Sequence, residues 1–144
     1  MPSNEVRQKL LDLKLVSAQS HFDRYDTLES SSDIELLFDV LSRHKDSHGR
    51  NVSFTPFFNV ANPDFNKIKE NNYQTYYFQT YPQVLESYGY NTKVLELWTQ
   101  GIESNIFVPE YHGREHLAAY VWINELQNPE SPVRKGFDLG FTTI

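Results

Sequence analysis

Two histidines, His112 and His116, stand four residues apart in the segment Phe107-Val108-Pro109-Glu110-Tyr111-His112-Gly113-Arg114-Glu115-His116-Leu117. There an apolar, strand-like run gives way to a helical pattern. If a helix begins near His112, positions i and i+4 stack on one face and can hold one metal ion between two imidazoles. Neutral imidazole is the commonest metal ligand, and a catalytic zinc usually takes three protein ligands and keeps one place for water. In a chain with five histidines this spacing alone is weak, so the surroundings must carry the argument. The His-Glu-x-x-His order of zinc peptidases is not met, because Glu115 adjoins the second histidine and not the first.

The elements that would position these residues follow from periodicity. A first helix is predicted over Ser3 to Leu15, with Ser3 as N-cap and Val6, Leu10, Leu11 and Leu13 as its apolar face. The cluster Ser30-Ser31-Ser32-Asp33 feeds a second helix from Asp33 to His44, whose stripe is Ile34, Leu37, Phe38 and Leu41. Val52 to Val60, interrupted by Pro56, reads as a strand buried on both faces. Asn62-Pro63-Asp64 closes that strand, and Pro63 sits at or near the first turn of a helix through Glu70. Short helices are expected over Tyr81 to Tyr88, closed by Gly89, and over Asn91 to Ser104, with Val94, Leu95, Leu97, Trp98 and Ile102 inward. Ile106 to Tyr111 is a short strand. Leu117 to Leu126 is a helix carrying Tyr120, Val121 and Leu126, stopped by Pro129 and Pro132, and Phe137 to Phe141 is a last short strand. This order is α/β, a class whose sites lie at the carboxyl ends of strands. Asn59, Asn62 and Asp64 then follow one strand, His112, Arg114 and His116 the next, and the two sets face one mouth.

Composition narrows the function classes. At 144 residues the chain is one domain by length, able to bury roughly two-thirds of its unfolded surface. A net charge of −6 with scattered Lys and Arg argues against nucleic acid as a partner. With no cysteine, disulfides, thiolate zinc sites and thiol nucleophiles are excluded. No apolar run approaches the ~20 residues of a membrane span and no signal-peptide core opens the chain, so a cytoplasmic location is expected. Aromatic residues make up 15% and cluster in Phe54 to Phe65 and Tyr73 to Tyr90. Aromatic faces stack on sugar rings, which suits a saccharide groove, although core packing is the commoner use of any one ring.

Together the residues carry a resemblance. Val60-Ala61-Asn62-Pro63-Asp64-Phe65, then Gly101-Ile102-Glu103, then His112 to His116, resemble a branch of the polysaccharide deacetylases. These are carbohydrate esterases met in bacterial surface-polysaccharide gene clusters. The opening Met1-Pro2-Ser3-Asn4-Glu5-Val6, the stretch Arg24-Tyr25-Asp26-Thr27-Leu28-Glu29 and the helix after it also resemble that branch, so the likeness spans nearly the whole chain. It implies a distorted (β/α) barrel with a divalent metal, usually zinc, at its mouth. The metal would be held by His112, His116 and an aspartate, with a second aspartate as general base. A saccharide or saccharide precursor would be the substrate, with Arg114, Asn59, Asn62 and Asp64 around it.

The chain departs from that pattern in one serious respect. Both family aspartates belong to an Asp-Asp motif on the first barrel strand, which would lie before Met1, and no two acidic residues are adjacent in this sequence. The expectation is therefore an incomplete portion of a barrel, truncated at both ends, with strand edges and apolar faces uncovered. Flanking segments of the same domain would be its partners, and hydrolysis is not expected of this stretch alone. Asp138 is a conceivable stand-in third ligand. Glu115 either orients a ligand imidazole or is a first-turn acid, and His21, His44 and His48 belong to the surface. The alternative reading is a non-catalytic saccharide-binding module or a gene remnant.

Overall fold

The structure is a computed structural model that describes residues 4–21, 28–90 and 92–142. The Ser3 cap, the opening Met1 to Ser3 and the stretch Arg24 to Thr27 lie outside the described residues. Helices and strands run in the order α1 (Asn4–Asp12), α2 (Ser31–Ser42), β1 (Phe57–Asn59), β2 (Ala61–Pro63), α3 (Phe65–Glu70) and β3 (Phe78–Thr80). They continue with α4 (Tyr81–Ser87), α5 (Lys93–Glu103), β4 (Glu110–Gly113), α6 (Ala119–Leu126) and α7 (Pro132–Asp138). The class is mixed α/β. Among the described residues the strands form two two-stranded sheets, β1 with β4 and β2 with β3, and close no barrel. The chain divides into two compact units, a strand unit of residues 28–62 and 79–115 and a helical unit of residues 1–27, 63–78 and 116–144.

In the strand unit α2 starts where its cap allows. The Ser30 hydroxyl accepts the Asp33 N–H at 3.3 Å while the Asp33 carboxylate accepts the Ser30 N–H at 2.8 Å, a reciprocal capping box. The helix therefore begins at Ser31, two residues before the sequence-based start. Gly89, at φ +76°, supplies the left-handed turn that ends the chain's exit from α4. Ile34, Leu85, Val94, Ile106 and Phe107 form the core. The Phe107 ring lies 5.5 Å from Phe38 and 4.8 Å from Trp98. It fills the notch at Gly101, where an added Cβ would stand 1.9 Å from Phe107 Cδ2.

β1 and β4 run parallel. Phe57 faces Glu110 and Phe58 faces Tyr111, and then the register slips so that Asn59 faces Gly113. His112 is the extra residue of that bulge. Backbone bonds extend the ladder at both ends, from Phe54 N–H to the Ile106 carbonyl (2.8 Å) through Ala61 N–H to the Arg114 carbonyl (2.8 Å). The segment expected to be buried on both faces is instead partly open: Phe57 is 71% exposed, and Val52, Phe54 and Val60 are also exposed. An apolar run cannot tell one covered face from two, and Pro56 hides the alternation.

The helical unit packs Ile68, Trp122, Ile123, Leu126 and Phe137 together, with Phe65, Tyr73, Tyr76 and Tyr77 against them. These three tyrosines are half-buried against that core, whereas Tyr81 of the same aromatic run belongs to the strand unit. On α6 the inward residues are Trp122, Ile123 and Leu126, whereas Tyr120 and Val121 face outward at 82% and 59% exposure. The strand expected over Phe137 to Phe141 is also replaced: Phe137 belongs to α7. Ser131 caps that helix through the Val133 N–H (3.2 Å), and Pro132 opens it, so the proline starts a helix rather than ending one.

Candidate functional site at the strand ends

The ladder fixes what meets at the carboxyl ends of β1 and β4. Asn59 ends β1 half-buried, and its Oδ1 is fully buried with no hydrogen-bond partner among the described residues. Across from it stands Gly113, where even an added Cβ would remain 3.7 Å from that oxygen. His112 is exposed in the bulge, with its ring edge-on to Phe57 at 5.8 Å. A bulge re-aims side chains at a strand end, which is where α/β sites form.

The predicted helix from His112 is not formed. His112 lies in β4, residues 114–118 are non-helical, and α6 starts only at Ala119. The two imidazoles therefore do not stack as helical i and i+4 neighbours. His112 belongs to the strand unit, and His116, also exposed, belongs to the helical unit. Among the described residues no three His, Cys, Asp or Glu side chains gather as a metal would need, so these residues alone do not fit a zinc ion.

Arg114 is committed to its neighbour. Its Nε and Nη2 donate to the two Glu115 oxygens at 2.6 and 2.7 Å, a bidentate pair with the Glu115 side chain only 8% exposed. Glu115 is thus neither a helix first-turn acid nor a free carboxylate. Asn62 is exposed on β2. Asp64, buried in the helical unit, caps α3 by accepting the Lys67 N–H at 3.0 Å and pairs with the Lys67 ammonium at 3.2 Å. Asp138 lies exposed at the end of α7, 3.6 Å from Arg134. His21, His44 and His48 are exposed, as the sequence suggests.

One site had no counterpart in the motifs. An open pocket of about 370 Å³ in the strand unit is lined by Phe58, Tyr81, Trp98, Tyr111, Glu110 and Thr99, among other residues. Tyr81 and Trp98 converge behind it on one carboxylate. The Tyr81 hydroxyl donates to Glu29 Oε1 at 2.5 Å, and the Trp98 Nε1–H donates to the same oxygen at 3.2 Å. Burial first, and then the Glu29 carboxylate, push the Tyr81 phenol far above its ordinary value, so it stays protonated. Only the aromatic richness of the sequence hinted at this pocket, since residues 29, 58, 81, 98 and 111 share no local spacing.

No protein-family model, curated protein or solved structure matches this chain significantly.

Proposed function

We propose that this chain supplies saccharide-binding surface to a deacetylase-type domain, at the end of the β1–β4 ladder where Asn59 and His112 stand. Asn59 carries the reading. Its Oδ1 is a buried acceptor without a donor among the described residues, placed where two parallel strands end. An unsatisfied buried carbonyl oxygen costs roughly 1–3 kcal/mol, which a ligand O–H or N–H removes once side-chain movement exposes it. An N-acetylated sugar offers both donors. Asn62 and the Arg114 fork, shared with Glu115, complete the proposed sugar-facing set within the strand unit.

The deacetylation that the resemblance implies would need a divalent metal to polarise the acetamide carbonyl and activate water, and the described residues do not assemble its ligand set. The second reading is a saccharide-binding module without hydrolysis.

Calorimetric titration of the chain with N,N′-diacetylchitobiose tests the binding claim. Asn59→Ala is expected to weaken binding about tenfold. No binding, or equal binding by the variant, overturns it. Zinc-dependent acetate release by the intact gene product separates the two readings.

A further inference from the structure

We propose that the open pocket of the strand unit is a binding site for an organic ammonium ion, quaternary or heavily alkylated, carried on a small apolar body. This assignment is independent of the deacetylase reading and uses none of its residues.

The lining selects that chemistry by elimination. Phe58, Tyr81, Trp98 and Tyr111 contribute four aromatic rings, and among the described residues Glu110 is the only charged one that lines the pocket. Among the described residues no basic side chain lines it, so a carboxylate or phosphate meets no counter-charge from them. A hydroxyl-rich ligand would leave its donors and acceptors unpaired against largely apolar walls. An alkylated ammonium has no such need: it carries charge without a demand for hydrogen bonds, and aromatic faces attract it through their quadrupoles.

Ring geometry supports the same choice. Tyr81 and Trp98 stand nearly perpendicular to Phe58, at 88° and 85°, with centroids 5.2 and 5.0 Å away. This edge-to-face packing holds three rings of the pocket wall in fixed positions. Glu29 fixes two of them, because the polar tips of Tyr81 and Trp98 both donate to its Oε1. That pairing satisfies the O–H and N–H and sets a carboxylate at the polar edge of both rings, which enriches their faces for a cation. Glu29 is therefore a positioning residue. The net charge of −6 draws cations toward the surface as a whole.

The test compares choline with its uncharged isostere 3,3-dimethylbutan-1-ol, which has the same shape without the charge. The Trp98 indole N–H signal is followed by NMR during titration of the full chain. Choline is expected to shift that signal and to bind at least about tenfold more tightly than the alcohol. Tyr111→Leu and Glu110→Gln, both at exposed positions that do not endanger folding, are expected to weaken choline about three- to tenfold and leave the alcohol unchanged. Equal affinity for the two probes, no shift with choline, or no effect of either variant overturns the proposal. Sedimentation with phosphatidylcholine vesicles separates the two sources of the group. Co-sedimentation lost in Tyr111→Leu assigns a lipid headgroup, whereas choline binding without it assigns a soluble ammonium.

Discussion

Gly101 sits in the interior of α5, where alanine would ordinarily stabilise by about 0.5–1 kcal/mol. Here the sign reverses, because Phe107 occupies the space a methyl group would need. Gly101→Ala is expected to lower unfolding free energy by about 1–3 kcal/mol, measured by urea denaturation. Tyr81 gives a second test. Its folded value is raised, so the neutral phenol favours the folded state; the contribution is complete below the ordinary phenol value of about 10 and is lost as pH rises above it. Thermal melts above that pH should fall more steeply for the native chain than for Tyr81→Phe. Neither effect was legible in the sequence. Gly101 looked like one residue of a resemblance motif, and Glu29 shares no period with Tyr81 or Trp98, 52 and 69 positions away.

Among the elements, α2 was the easiest to read because local chemistry decides it. The Ser30 and Asp33 side chains cap it wherever the rest of the chain goes, and the stripe Ile34, Leu37, Phe38 and Leu41 follows. Ser30→Ala should cost about 0.5–2 kcal/mol at neutral pH. Hydrogen bonds from Ser30, side chain first and backbone second, hold the Asp33 carboxyl below the usual carboxylate range. A depressed value means stability present above about pH 4 and lost as pH falls through the folded value, so the variant's deficit should narrow in acid. The segment around His112 was misread for the opposite reason. Its conformation is set by a distant partner, β1, and two histidines at a helical interval carry no information about that pairing. Asn59, named from its place after a strand, does meet Gly113 across the ladder.

At the scale of the molecule, the chain passes from one compact unit to the other four times, at residues 27–28, 62–63, 78–79 and 115–116. Such interleaving leaves no linker or change of composition for a reader of sequence to find. Each unit has its own core, so damage should be local. Leu126→Ala, at a fully buried position, is expected to cost about 2–5 kcal/mol. Hydrogen exchange should quicken first across residues 63–78 and 116–142, with residues 28–62 less affected. Uniform loss of protection would show instead that the two units unfold together.

The parallel ladder also sets a clock on biosynthesis. The Ser53 hydroxyl must find the Asn105 carbonyl 52 positions later. At ordinary elongation rates the aromatic stretch from Phe54 to Val60 then waits roughly 3–10 s outside the ribosome without its neighbour. Throughout that interval its unpaired backbone is open to a second nascent copy. Faster translation across residues 61–105 shortens the wait and raises the soluble yield without altering a single side chain.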